Sequence, residues 1–144
     1  MKIVEIIRGT RLFDGIGEAT LGSIAGHARR IECLEGDSVY EIGDDANDLY
    51  VVEQGRARFS VGVQNRSGEA GSIMTEGQVF GWAALLEEQP RRVATVVCLE
   101  PCLLVVIPGY EIVELFKGDT ASGFVVMRRL ATMITRDLFS VVGV

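Results

Sequence analysis

One stretch of the sequence combines residue types that can hold an anion. Gly81 and Trp82 are followed by two small residues, Ala83 and Ala84. This order predicts a tight turn leading into a single turn of helix, whose first N–H groups have no partner within the helix and attract negative charge. Arg92 follows on a predicted strand, where its guanidinium can bind two phosphate oxygens at once. The spacing therefore predicts a phosphate cradle.

The neighbour of Arg92 on the N-terminal side is expected to have a different role. Successive side chains of a strand point to opposite faces, so Arg91 is predicted to lie on the solvated surface. For Arg92 the alternative to an anion-facing role is that of an ordinary strand arginine.

The residue groups that catalysis and metal binding require are missing from the sequence. His27 is the single histidine, and no nucleophile stands with a base. Cys33, Cys98 and Cys102 form no CxxC pair and are read as small core residues. The acidic turn 44–48 lacks the full spacing of a calcium loop. We therefore expect no enzyme activity, no metal and no cofactor.

Composition limits the classes of partner and compartment. The 144 residues fit one compact domain, and 48% hydrophobic residues with a mean hydropathy of +0.27 supply a core. A net charge of −6 argues against a nucleic-acid partner, because such binding needs a cationic surface. No segment is long and apolar enough for a bilayer span, and the N-terminus lacks a secretory signal. We expect a cytoplasmic protein with no membrane partner.

Three zones must position the cradle within this single domain of residues 1–144. Residues 1–32 have broken helical periodicity, with Thr20 predicted to cap a helix that runs toward Arg30. Residues 33–107 contain short strands separated by turn signals, and the cradle lies at 77–95. Residues 108–144 are again helical. The expected fold is mainly β with flanking helices.

The middle zone predicts a closed or double-layered β-structure. The expected strands are 38–42, 49–52, 56–63, 72–74, 93–99 and 102–107, with a hairpin at Asn65–Gly68. Strands this short and this closely spaced are typical of a sandwich, jelly roll or barrel.

The last zone predicts a short helix and then a long one. Pro108 suits the start of a helix over 109–116, and Asp119 or Thr120 begins a second helix toward Val142. Apolar residues recur along the long helix at three- or four-residue spacing: Phe124, Met127, Leu130, Ile134, Leu138 and Val141. Such a stripe is either core or a subunit contact, and a parallel homodimer seam is one hypothesis.

Taken in order, these motifs resemble the cyclic nucleotide-binding domain, the sensor module of catabolite-activator-like regulators, cyclic-nucleotide-dependent kinases and gated channels. The resemblance covers roughly Leu12 to Val142 and rests on several spaced motifs: 12–16, 36–37, 42–44, 48–52, Gly55 and the cassette 80–95. It implies a jelly-roll β-roll (a double-stranded β-helix) of two antiparallel sheets, with N-terminal helices and a long C-terminal helix that moves or dimerises. Cyclic phosphate would lie between the cassette helix and the strand arginine.

Carried over residue by residue, the resemblance assigns the candidate ligand-binding positions. Arg92 resembles the phosphate arginine, Gly81 and Ala83 resemble backbone phosphate contacts, and Val93 takes the place after the arginine. The full candidate set is Gly81, Trp82, Ala83, Ala84, Arg92 and Val93.

The cassette departs from the family at one position. Phe80-Gly81-Trp82 stands where the family has Phe-Gly-Glu, whose glutamate accepts a hydrogen bond from the ribose 2′-hydroxyl. Indole only donates, so it cannot replace that acceptor. A hydrogen bond to a charged group contributes roughly 1.5–3 kcal/mol, or about one to two decades of affinity. Trp82 is expected either to fill space as core or to contact the ligand.

Two functions remain open from the sequence. The first is a non-catalytic sensor that binds cAMP, cGMP or another phosphorylated small molecule and signals through the C-terminal helix to a second copy or a separate protein. No DNA-binding, kinase or channel segment accompanies the domain in these 144 residues, so its output is expected in trans. The alternative is a degenerate domain whose pocket is plugged by Trp82 and which serves as a dimerisation or docking scaffold.

Overall fold

The structure is a computed structural model that describes residues 1–60, 72–87 and 91–142, with side chains as far as Asp137. The described helices are α1 (Ile3–Arg8), α2 (Glu18–His27), a 3₁₀ helix (Trp82–Leu85), α3 (Gly109–Gly118) and α4 (Thr120–Val142). The strands are β1 (Arg29–Cys33), β2 (Ser38–Tyr40), β3 (Asp48–Gln54), β4 (Ala57–Ser60), β5 (Ser72–Met74), β6 (Val79–Phe80), β7 (Thr95–Cys98) and β8 (Cys102–Pro108).

The described strands form two four-stranded antiparallel sheets. The first has the order β1-β8-β3-β6 and the second the order β2-β7-β4-β5. Central strands β3 and β8 are apolar on both faces: the paired Val51 and Val105 point to one face, the paired Val52 and Leu104 point to the other, and none of the four is exposed. A strand of this kind must be covered on both sides. The predicted β-roll with flanking helices is therefore confirmed.

Two apolar clusters cover those two faces. Between the sheets lies the inner core, built from residues of both: Tyr40, Tyr50, Val52, Ala57, Phe59, Met74, Phe80, Ala94, Val96, Cys98, Cys102, Leu104 and Val106. On the far face of the first sheet lies the outer core, where α1 to α4 and the 3₁₀ helix pack against Leu49, Val51, Val105 and Ile107. The outer core therefore joins the N-terminal and C-terminal helices to the same face of the first sheet.

A polar contact ties the start of α2 to the start of α4. Asp119 accepts hydrogen bonds from the hydroxyls of Thr20 (2.6 Å) and Ser122 (2.6 Å) and from the Ser122 N–H (3.2 Å). The Ser122 hydroxyl in turn accepts from the Gly17 N–H at 2.9 Å. Asp119 thus caps α4, which begins at Thr120, one of the two predicted starts, and Asp119 also holds α2 in place.

Several predicted boundaries in the first half of the chain need correction. Thr20 does not cap α2: it lies inside the helix, with Gly17 at the cap position. The helix ends at His27 instead of running to Arg30, because Arg29–Cys33 pairs with β8 as a strand. The helical zone therefore ends before residue 32.

Two predicted strands are shorter in the structure, and part of the prediction cannot be placed. The strand over 38–42 is reduced to Ser38–Tyr40 and that over 93–99 to Thr95–Cys98. The Asn65–Gly68 hairpin, the end of the 56–63 strand and residues 88–90 lie outside the described residues. Among the helices that the structure describes, none has the length and hydropathy needed to cross a membrane.

Candidate ligand-binding site

The cassette forms the predicted tight turn and single helical turn. β6 ends at Phe80, Gly81 has a φ of +83°, and the 3₁₀ helix follows directly. A Cβ on Gly81 would lie 3.0 Å from Arg92 Nη1 and 3.0 Å from the Asp48 carbonyl oxygen. Both the left-handed backbone and the close approach therefore require glycine here.

The amides at the start of the 3₁₀ helix are the cassette's hydrogen-bond donors. Its first hydrogen bond runs from the Ala84 N–H to the Gly81 carbonyl (3.2 Å). The N–H groups of Trp82 and Ala83 precede that bond, so the helix itself gives them no acceptor.

Arg92 is a buried cation held by neutral groups. It is 4% exposed, and its Nη1 and Nη2 donate to the carbonyls of Gly81 (2.9 Å) and Asp48 (2.6 Å). The guanidinium carbon lies 3.9 Å from the ring centre of Tyr40 and 5.7 Å from that of Tyr50. Within the described residues its Nε has no partner, and no carboxylate pairs with it.

The surroundings of Arg92 leave its charge uncompensated in the described part of the chain. Burial raises the pKa of Tyr40, with the charge of Arg92 acting in the opposite direction, so the phenol stays neutral. Buried charges in proteins are normally paired with an opposite charge. The cassette therefore presents a positive site that an anion would complete.

The space beside Arg92 is small. Tyr40, Phe59, Gly81, Trp82, Ala83, Arg92, Val93 and Ala94 line a cavity of about 10 Å³. That volume is about the minimum for one water molecule, whereas ligand pockets occupy roughly 300–1,000 Å³. Among the described residues, the space beside the guanidinium is therefore too small for a ligand of nucleotide size.

Trp82 lines the cavity and also packs against the helices. It is 5% exposed and packs in the outer core, and its indole N–H donates to Oδ2 of Asp137 on α4 at 3.0 Å. Burial raises the pKa of Asp137, and the hydrogen bond from Trp82 opposes that shift. The indole is thus part of the core and also lines the cavity, and its contact with a ligand stays a prediction.

Comparison with known proteins identifies the family. The family model described as the cyclic nucleotide-binding domain matches residues 30–119. The chain belongs to this family. The resemblance of the cassette and strand motifs is thereby confirmed at the level of the family, and the atypical Phe-Gly-Trp cassette stays a prediction.

Individual relatives of this cyclic nucleotide-binding domain include regulatory proteins. A cAMP-dependent protein kinase regulatory subunit from Yarrowia lipolytica is 33% identical over 94 residues, which are 65% of this chain and 23% of that protein. The chain therefore spans about a quarter of the length of this relative.

Solved structures show the same fold at low sequence identity. A Geobacter metallireducens protein has a TM-score of 0.78 at 19% identity and covers 96% of this chain and 99% of its own. The regulatory domain of Toxoplasma gondii PKA, crystallised with cAMP, has a TM-score of 0.73 at 21% identity, over 93% of this chain and 49% of its own.

Within this cyclic nucleotide-binding domain, most of the predicted site residues come together. Gly81, Trp82, Ala83, Arg92 and Val93 line the cavity, and Val93 is 42% exposed. Ala84 instead packs against α3, where a Cβ on the facing glycine would collide with its carbonyl oxygen. Arg91 lies on the surface as predicted.

Of the four residues of the α4 stripe whose side chains the structure describes, three belong to the domain's own core or pack against it. Leu130 is buried in the outer core, and Met127 and Ile134 pack against it. Phe124 is 64% exposed, with the Arg128 guanidinium 5.8 Å from its ring centre. The side chains of Leu138 and Val141, also in the predicted stripe, lie outside the described residues.

Asp137 is not among the site residues predicted from the sequence. The residue lies seven positions after Leu130 and three after Ile134, on the same face of α4. A carboxylate on the inward face of an amphipathic helix needs a buried donor. A carboxylate at this position of the helical pattern is therefore the sequence signal from which a buried partner of Asp137 could have been predicted.

Proposed function

We propose that this domain is a non-catalytic regulatory sensor that binds a cyclic nucleotide, such as cAMP or cGMP, or a related phosphorylated anion. The observation that carries the proposal is Arg92, a buried guanidinium without a carboxylate partner in the described residues. Its Nε lacks an acceptor there, so a phosphate would satisfy both the charge and the unmade hydrogen bond.

Each cassette residue has a part in this proposal. Arg92 would bind phosphate oxygens, and the amides of Trp82 and Ala83 would donate to the same group. Gly81 would let the backbone approach closely, and Val93 would border the opening. The regulatory relatives, one of them crystallised with cAMP, support this class of ligand.

Position 82 would lower the affinity for ordinary cAMP. Trp82 offers no acceptor to the ribose 2′-hydroxyl. We therefore propose that cAMP binds one to two decades more weakly than to a cassette with glutamate at this position, and that ligands which do not need that acceptor bind better.

Calorimetry tests the proposal directly. We would titrate the protein with cAMP, cGMP and cyclic dinucleotides and follow heat and the emission of Trp82, the one tryptophan of the chain. Arg92→Ala should abolish the signal, while Arg91→Ala, which removes an exposed arginine paired with Asp45, should leave it unchanged. Trp82→Glu should raise cAMP affinity by about one to two decades.

A second candidate is a scaffold without a ligand, and the cavity of about 10 Å³ favours it. In that case α4 would serve as the contact with a second copy or a partner protein, and exposed Phe124 would lie in the contact. Absence of both heat and emission change at millimolar nucleotide, together with a dimer in sedimentation that Phe124→Ala disrupts, would replace the sensor with the scaffold.

A further inference from the structure

Three thiols meet in the inner core. Cys33 lies on β1, Cys102 on β8 and Cys98 on β7, so both sheets contribute to the group. Cys98 and Cys102 are buried in the inner core, Cys33 packs against it, and all three are free thiols. Burial raises the pKa of the Cys98 thiol, and contacts with the thiols of Cys102 and Cys33 add to that rise, so the three sulfur atoms lie together. The proposed function uses none of these residues.

The register of the first sheet decides which two thiols can be joined. Cys33 and Cys102 are direct partners in the antiparallel pair of β1 and β8. Direct partners in such a pair have Cα atoms about 4.5 or 5.5 Å apart, and a disulfide accepts Cα separations of about 4.4–6.8 Å. Cys98 belongs to the facing sheet, and packed sheets lie about 10 Å apart. A bridge from Cys33 to Cys102 therefore fits the backbone as it stands, whereas a bridge to Cys98 needs the two sheets to approach each other.

Exposure decides which thiol reacts first. Cys33 is partly exposed, whereas Cys98 and Cys102 are buried, so an oxidant in solution reaches Cys33. Burial raises the pKa of the Cys33 thiol, and its contact with Cys98 opposes that rise. The thiolate is the reacting form, so the reaction is slow near neutral pH and becomes faster as pH rises.

We propose that Cys33 and Cys102 are a redox-active pair, which a peroxide converts into a disulfide between β1 and β8. The Cys33 thiolate attacks one peroxide oxygen, the S–O bond forms as the O–O bond breaks, and the leaving hydroxide takes up the proton that Cys33 released. The Cys102 sulfur then attacks the Cys33 sulfenic acid at sulfur. The S–S bond forms, the S–O bond breaks, and the Cys102 proton leaves with the hydroxyl group as a second water. The two sulfurs lose two electrons, which the peroxide takes up.

The disulfide would close a loop over residues 33–102. This span contains the strands of the second sheet and the cassette. A covalent link restricts the unfolded chain, so a bridge that fits the native geometry stabilises the folded domain. Oxidation would thus stabilise the part of the fold that holds Arg92 without altering a residue of the anion site.

Mass spectrometry of the oxidised protein tests the proposal. The protein would be incubated with hydrogen peroxide at neutral and at mildly alkaline pH, unfolded, alkylated at its remaining thiols and digested without reduction. We expect peptides joined through Cys33 and Cys102, with fragmentation locating the alkyl group on Cys98, and faster joining at the higher pH. Cys98→Ala is the matched control and should form the same bridge, whereas Cys102→Ala should form none.

The melting temperature gives an independent measurement. The oxidised protein should melt roughly 5 °C or more above the reduced protein, and dithiothreitol should reverse the gain. Cys33→Ala treated in the same way accounts for oxidation of methionine side chains, and it should gain no stability.

The proposal would be overturned by a bridge to Cys98, by bridges that form only between two molecules, or by an oxidised Cys33 that retains its oxygen. An oxidised protein that melts no higher than the reduced one would also contradict it, because the bridge would then strain the two strands. These outcomes do not depend on whether the domain binds a nucleotide.

Discussion

At the scale of single residues, Arg92 explains why the neighbouring positions are so constrained. Its two terminal nitrogens hold carbonyls from two different segments, and its flat face lies over Tyr40. Lysine presents one point charge and could not make this set of contacts at once. The guanidinium thus fixes the turn at Gly81 against β3 even before any ligand is considered.

Gly81→Ala tests that constraint. Alanine at a φ of +83° costs about 1–2 kcal/mol, and its Cβ would also press on Arg92 and the Asp48 carbonyl. Gly77→Ala is the matched control, because Gly77 has a φ of +84° with open space around its Cβ position. In urea unfolding we expect both variants to be destabilised and Gly81→Ala to lose roughly 1–3 kcal/mol more. Equal losses would show that Arg92 exerts no steric constraint on the turn.

At the scale of elements, the position of the 3₁₀ helix is set by α3. Gly109 begins α3, and the backbone of Ala84 passes so close to it that a Cβ would collide with the Ala84 carbonyl. The backbone of the 3₁₀ helix thus packs directly against α3 at Ala84, whereas at Trp82 the contact with the outer core is made by the side chain.

Gly109→Ala should displace the cassette helix. We expect a loss of roughly 1–3 kcal/mol in unfolding free energy from overpacking. Gly118→Ala, at the other end of α3 where nothing lies within 4 Å, should be neutral or slightly stabilising because alanine favours helix. Thermal denaturation followed by circular dichroism compares the two. If Gly109→Ala were as stable as the parent protein and the backbone amides of residues 79–87 exchanged hydrogen at an unchanged rate, the close packing of α3 against Ala84 would be contradicted.

The sequence predicts those elements whose boundaries are determined by residues within or next to the element itself. The 3₁₀ turn after Gly81 follows from a glycine before small residues, the strand over 72–74 from a preceding turn signal, and the start of α4 near Asp119 from the break after α3 and the apolar spacing that follows it. The change from α2 to β1 did not, because pairing with β8, a segment far along the chain, decides that Arg29 begins a strand. The Trp82–Asp137 contact is equally remote in sequence. The cassette motif predicts that Trp82 lies at the site, but no residue near it in sequence indicates which group accepts the hydrogen bond from its indole N–H.

At the scale of the whole molecule, α4 is held at both ends by carboxylates whose pKa values shift in opposite directions. Hydrogen bonds from Ser122 and Thr20 lower the pKa of Asp119 at the start of the helix. Burial raises the pKa of Asp137 near its other end, while the Trp82 hydrogen bond and the charge of Arg136 oppose the rise. The buried phenol of Tyr40 lies in the field of Asp137 and stays neutral.

These opposite shifts give opposite pH dependences. For Asp119 the unfolded chain binds the proton more tightly, so its stabilisation is complete above the unfolded pKa of about 4 and is lost as pH falls through the folded value. For Asp137 the folded chain binds the proton more tightly, so its favourable contribution is present at low pH and is lost as pH rises through the folded value. Melting temperatures of Asp119→Asn and Asp137→Asn would be measured against the parent protein across the acid range. Relative to the parent, Asp119→Asn should become less stable as pH rises, and Asp137→Asn should become more stable. Slopes of the same sign would mean that the end of α4 does not bury Asp137 in solution, and the contact between α4 and the cassette would then be open already.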